Sequence, residues 1–212
     1  MLFRSIAAKS APDGYTLFTY SSTLWLIPFM RKEMPYDPVK DFAPVTLVGS
    51  SPMVLVTHPS VQANTMKELI ALAKAKPGVI NFASGPSGAI PHLAGELFKA
   101  MAGIDIVRIS YKGAGAALTD LIGGQVQMTF ATAGSVMPIL KSGRLRALGI
   151  SSAKPSVLLP DLIPIAAAGL PGYESVSTSG VFVPAGTPSA LVQRLNGEIT
   201  RFLHSKIGRA HV

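Results

Sequence analysis

Between residues 65 and 152, short apolar runs alternate with stretches of helical spacing. A chain patterned this way must build a sheet whose strands are joined by helices. A strand buried on both faces reads as one continuous apolar run, and a parallel neighbour is reached only through a crossover. Thr65-x-x-Glu68 is a capping box ahead of Leu69, Ile70, Leu72 and Ala73, and Pro77-Gly78 ends that helix. A strand is predicted at 79–83, followed by a small-residue loop at 84–89. A helix over 91–101 comes next, with Leu93, Leu97, Ala100 and Met101 on one face. A strand at 106–110, a helix at 116–122 and a strand at 126–131 continue the series. Ser135 is read as the cap of a short helix ending at Gly143, and a strand at 146–151 closes it. The prediction is an α/β protein with a mostly parallel sheet covered on both faces.

The flanks differ. Pro12-Asp13-Gly14 is a turn signal before a strand at 15–20, and two separate strands are predicted at 42–48 and 52–58. Residues 153–178 carry Pro155, Pro160, Pro164 and Pro171 and read as loop, and 180–183 as a short strand. Thr187 then caps a helix with Pro188 at its first position, and Leu191, Val192, Leu195, Ile199, Phe202 and Leu203 share one face.

Composition excludes several classes. With 48% apolar and 14% charged residues the chain can bury a sizeable core. Its longest uncharged run, 121–140, is broken by Gln125, Gln127, Thr129, Thr132 and Pro138, so no stretch reads as a membrane helix. Cysteine is absent, which removes disulfides, zinc-thiolate sites and a catalytic thiol. The net charge of +8 is spread out. The densest basic window, Lys141-Ser-Gly-Arg144-Leu-Arg146, has no interleaved aromatics to stack on bases, so nucleic acid is not an expected partner.

Both ends read as translated sequencing-adapter DNA. Leu-Phe-Arg-Ser corresponds to CTC TTC CGA TCT, and Ile-Gly-Arg-Ala-His-Val to ATC GGA AGA GCA CAC GTC. Residues 1–5 and 206–212 are therefore expected to be non-native, with the natural gene continuing past both. Without Arg4, Lys206 and Arg209 the net charge drops from +8 to +5.

No catalytic set appears. His58, His92, His204 and His211 stand apart, with no His-Glu-x-x-His spacing and no paired carboxylates. Gly113-Ala-Gly115 follows a strand and opens a helix, as a dinucleotide fingerprint would, but the third glycine is missing and no acidic residue ends the next strand near Ala131-Thr132. What remains is four loops of small and hydroxyl residues: 21–23, 84–89, 113–116 and 132–135. In an open α/β sheet such loops gather at the carboxyl ends of the strands. There, helix N-termini and exposed N–H groups favour an anion. The reading is a site that binds an anion without transforming it; no catalytic residue, metal or cofactor is assigned.

Several longer motifs carry a resemblance. Pro12-Asp-Gly-Tyr-Thr-Leu17, Pro35-Tyr-Asp-Pro-Val-Lys-Asp-Phe-Ala-Pro-Val45 and Val56-Thr-His-Pro-Ser60 resemble the periplasmic substrate-binding receptors of tripartite tricarboxylate transporters, the Bug family. So do His92-Leu-Ala-Gly-Glu-Leu-Phe98, Tyr111-Lys-Gly113, Leu118-Thr-Asp-Leu-Ile-Gly-Gly-Gln125, Gly169-Leu-Pro-Gly-Tyr173 and Pro184-Ala-Gly-Thr-Pro188. The match runs from about residue 7 to 204.

The resemblance implies a two-lobed, Venus-flytrap fold of the type II periplasmic-binding-protein kind, here truncated at both ends. The first lobe would be 6–58 plus 179–205, lacking its opening strand, and the second 59–178. The implied function is an extracytoplasmic solute receptor. It binds a small carboxylate between its lobes and hands it to membrane transporter subunits. It would be a monomer, periplasmic, with a signal peptide in the uncut gene, and not an enzyme. Carried over residue by residue, Ser21 and Ser22 would contact the ligand from one lobe. Ser84, Gly85, Ser87, Gly88, Phe130, Ala131, Thr132 and Ala133 would do so from the other. Without an acid near Ala131-Thr132, a plain carboxylate is favoured over an amino acid. The alternative is a small α/β enzyme using the Gly113 loop for a nucleotide or phosphate.

Overall fold

The computed structural model describes residues 2–30, 33–157 and 159–205. The carboxyl-terminal run 206–212 and Met1, both predicted to be adapter-derived, lie outside them. The rest of the amino-terminal run is part of a helix, α1 (Leu2–Ala8).

The chain forms two compact units, one of the described residues up to Ser50 and from Ser177 onward, the other Ser51–Val176. The first crossing was predicted at His58-Pro59. It falls earlier because 42–48 and 52–58 are not two strands but one, β2 (Phe42–Thr57), which runs from one unit into the other. Gly49-Ser50-Ser51 separates the two apolar runs, and although Gly-Ser is a turn signal, these residues stay extended within the strand. The second crossing lies within β7 (Val176–Pro184), longer than the strand predicted at 180–183.

In the first unit, β1 (Phe18–Ser21) pairs antiparallel with β7 through Phe18↔Phe182 and Ser21↔Ser179, and β7 lies beside β2. Between β1 and β2 come α2 (Thr23–Leu26) and a 3-10 turn, Ile27–Met30. Phe18, Leu24, Tyr36, Phe42 and Phe182 form one core cluster, with Phe18 stacked on Phe42. The helix predicted after Pro188 is α8 (Ser189–Leu203). Its cap is not Thr187, whose hydroxyl instead donates to Pro184 O at 2.8 Å; Pro188 itself occupies the cap position.

The second unit follows the predicted rhythm. In order it contains α3 (Met66–Ala75), β3 (Asn81–Ser84), α4 (Ile90–Ala102), β4 (Val107–Ser110) and α5 (Ala114–Ile122). Then come β5 (Met128–Thr132), α6 (Ala133–Lys141) and β6 (Arg146–Ile150); the short helix α7 (Ile165–Ala168) departs from the reading of 153–178 as loop. The capping box forms: Thr65 Oγ1 accepts from Glu68 N at 3.2 Å, while Glu68 reaches back to Asn64 N at 2.6 Å.

Strand order in this unit is β6-β2-β5-β3-β4. β3 is parallel to β4 and β5, but β2 is antiparallel to both β5 and β6. The parallel expectation thus fails at β2. That strand arrives directly from the other unit, so no crossover helix dictates its direction. Period-two alternation feeds both faces. Met53, Leu55, Phe82, Met128 and Phe130 join one cluster under α3, α4 and α7; Val54, Val56, Ala83 and Ala131 join another with α5 and α6.

The buried face of α4 is not the predicted one. Ala94, Gly95, Phe98 and Ala102 are buried, whereas Leu97 and Met101 are 37% and 39% exposed. The helix lies so near β3 that the contact needs small residues, which an apolar-spacing rule passes over. Gly103 ends α4 in the left-handed region at φ 60°.

Candidate functional site

β3, β4 and β5 run the same way, so their carboxyl ends share one edge of the sheet. Each is followed by a helix: α4, α5 and α6. Where the three helices begin, the second unit holds a cavity of about 240 Å³. Ser84, Gly85, Pro86 and Ala89 line it after β3, Gly113 and Ala114 after β4, and Thr132 and Ser135 after β5. Met53, Thr129, Phe130 and Leu118 supply further wall. No lining residue is charged.

The three helix starts share a feature. α4 begins after Ala89, α5 after Gly113 and α6 after Thr132, and none has a side-chain cap. α3, away from this edge, has one. The first N–H groups of a helix have no partner within it, and the dipole leaves partial positive charge there. Pro91 removes one such donor from α4. The arrangement can hold a negative oxygen at several backbone N–H groups at once, as helix N-termini do for phosphates and carboxylates.

Thr132 does not cap α6. Its hydroxyl donates to Ser135 Oγ at 3.1 Å, and Ser135 Oγ donates back to Thr132 O at 2.8 Å. Ser135, predicted as the cap, is inside the first turn.

The 84–89 loop is tied from behind by Arg108 of β4. Its Nε donates to Ser84 Oγ at 2.7 Å, one terminal nitrogen to Ser87 Oγ at 3.2 Å, and the other to Gly85 O at 3.0 Å and Ser110 Oγ at 3.3 Å. Gly88, at φ 86°, donates its N–H to His92 Nδ1 at 3.1 Å, and Ala89 N donates to Pro86 O at 2.9 Å. Those two amides, read from sequence as open to a ligand, are therefore engaged inside the loop. Burial holds the His92 pKa below its ordinary value, the nearby Arg108 charge lowers it further, and Glu96 opposes both. The neutral ring is the form that can accept from Gly88.

Of the predicted site residues, Ser84, Gly85, Phe130, Ala131 and Thr132 line this cavity. Ser87, Gly88 and Ala133 flank it on the same loops. Ser21 and Ser22 belong to the first unit, where they line a cavity of about 350 Å³ with Trp25, Thr46, Thr178 and Phe182. Ser21 Oγ donates to Thr23 Oγ1 at 3.0 Å, while Ser22 Oγ is buried with no partner.

Sequence reasoning missed Arg108 and the His92 bond to Gly88. A signal for Arg108 existed: it is the charged residue inside the four-residue strand Val107–Ser110. The Gly113 loop lacks the crowding a dinucleotide fingerprint needs, since a Cβ added at Gly113 or Gly115 meets nothing within 4 Å. Among the described residues no cluster of His, Asp or Glu could hold a metal ion, and no helix is long and apolar enough to cross a membrane.

Comparison with known proteins agrees on one family. The chain is 38% identical over 201 residues to Protein BugT of Bordetella pertussis, covering 94% of this chain and 62% of BugT. It is 36% identical to the UPF0065 protein of the tcbD-tcbE intergenic region of Pseudomonas sp. (strain P51), covering 92% of this chain and 59% of that protein. The chain thus spans about three fifths of the length of these relatives. Among solved structures it superposes on R. palustris Rpa4515 with adipate at TM-score 0.84 and 33% identity, covering 99% of this chain and 70% of that one. It superposes on MatC from Rhodopseudomonas palustris with bound malate at TM-score 0.82 and 27% identity, covering 99% and 71%. The periplasmic binding protein BugD gives TM-score 0.85 at 28% identity, covering 99% and 70%. The fold class is thus the periplasmic solute-binding α/β type, and these neighbours are receptors rather than enzymes. Residues 2–205 match the Tripartite tricarboxylate transporter family receptor, TctC, and the chain belongs to that family.

Proposed function

We propose that this chain is the ligand-binding portion of a periplasmic receptor for a small carboxylate, which it delivers to membrane transporter subunits. The observation that carries the reading is the cavity at the three uncapped helix starts, α4, α5 and α6. One carboxylate of the ligand takes the backbone N–H groups there, contacted by Ser84, Gly85, Ser87, Gly88, Phe130, Ala131, Thr132 and Ala133. Ser21 and Ser22 serve as ligand contacts in the first unit's own cavity. Met53, Pro86, Leu118 and Phe130 offer apolar wall to a methylene chain, and no acidic residue lines the cavity to receive a ligand ammonium. The solved relatives with adipate and malate support a plain dicarboxylate. The receptor works as a monomer, without cofactor or metal.

A thermal-shift screen of the chain against adipate, malate, ATP and NAD tests this. A ligand at a hundred times its Kd stabilises the folded state by about 2.7 kcal/mol. Stabilisation by a dicarboxylate and not by the nucleotides is expected. Stabilisation by nucleotides alone, or by none of the four, would contradict the proposal.

A further inference from the structure

Arg108 does not line the cavity; it binds the loop that does. A guanidinium can only donate hydrogen bonds. Ser84 Oγ and Ser87 Oγ, both taking a bond from Arg108, must therefore act as acceptors toward it and aim their own hydrogens elsewhere. The Ser84 hydroxyl donates to Gly85 O at 3.1 Å. The Ser87 hydroxyl has no acceptor among the described residues, and Ser87 is exposed. Arg108 thus leaves the Ser87 hydrogen free and polarises it with a full positive charge. Ser110 and Gly85 O hold the guanidinium from its other side, at 3.3 and 3.0 Å, so its fork cannot swing away without breaking the loop's bonds.

We propose that Arg108 is a positioning residue that turns the Ser87 hydroxyl into a charge-assisted donor to a ligand carboxylate, and so sets the site's preference for an ionised acid. This rests on the carboxylate reading above. Arg108 acts through the fork geometry as well as through charge, so lysine is not an equivalent.

The test is a double-mutant cycle read by titration calorimetry with adipate. A hydrogen bond to a charged group is typically worth about 1.5–3 kcal/mol, and about 1.4 kcal/mol is tenfold in affinity. Ser87→Ala and Arg108→Gln should therefore each weaken adipate binding by roughly tenfold or more. If Arg108 acts through Ser87, the double variant should be no more than about threefold weaker than Arg108→Gln, because the two losses are one loss. Arg108→Lys should lose at least about fivefold despite keeping the charge. Should Arg108→Gln fail to melt cooperatively, Arg108→Lys replaces it in the cycle under the same criterion. Losses that multiply in the double variant, or an arginine variant that binds like the parent, overturn the proposal while leaving the carboxylate reading intact. No adipate binding by the parent, when malate binds, overturns the role assigned to Arg108 for this dicarboxylate; no binding of either acid overturns both readings.

Discussion

A Cβ added at Gly95 would stand 2.3 Å from the Phe82 ring, closer than any real side-chain contact. Gly95 of α4 and Phe82 of β3 are both buried. This contact lets α4 settle on the sheet, and the helix start in turn forms one wall of the candidate site.

Gly95→Ala should therefore destabilise the second unit, although alanine is the better helix former. Overpacking a filled core typically costs about 1–3 kcal/mol, against a helix-propensity gain of about 1 kcal/mol. Phe82 sits in the middle of its cluster and has little room to yield. Urea unfolding should show a lower midpoint; an unchanged or higher one would mean that the helix shifts freely.

How much of this was legible depends on the kind of residue involved. Thr65 and Glu68 announced the start of α3, because a cap is a local bond written within four positions. β3, β5 and β6 were visible as apolar runs because they are largely buried, whereas the edge strand β4 is mostly exposed and showed only through Val107 and Ile109. The buried face of α4 was not visible, since glycine and alanine do the packing and Leu97 and Met101 drew attention away. The continuity of β2 was hidden because strand ends depend on pairing partners far along the chain. Three of the four small-residue loops read from the sequence, 84–89, 113–116 and 132–135, line the second unit's cavity, and 21–23 lies in the first unit. The internal wiring of the site was not legible, because Arg108 to Ser84 and Gly88 to His92 are bonds whose partners only folding selects.

The His92 bond has a pH consequence. Its folded pKa is lowered from 6.5, chiefly by burial, so the unfolded chain takes up a proton more readily than the folded one. The stability this neutral ring contributes is full above 6.5 and is lost as pH falls through the folded value. Melting temperatures at pH 7.5 and 5.5, compared with His92→Gln, read it out. The parent should lose more on acidification than the variant; equal losses would contradict the role of His92.

Tyr173 makes a different kind of test. Its ring packs at 6.0 Å from Phe98 and 6.1 Å from Phe130, and its hydroxyl donates to Ala94 O at 2.9 Å. Burial pushes its phenol pKa far above the ordinary range. Tyr173→Phe keeps the packing and removes the bond, so a loss of about 1 kcal/mol is expected in chemical denaturation. A loss several times larger would show that the hydroxyl does more than tie this segment to α4.

The central claim is that uncapped helix starts hold a carboxylate, and amide resonances followed during an adipate titration test it most directly. Saturable shifts concentrated at Ile90, Ala114, Ala133 and Gly134, absent when ATP replaces adipate, are the predicted result. Shifts that avoid these amides, or that appear there only with ATP, would contradict it.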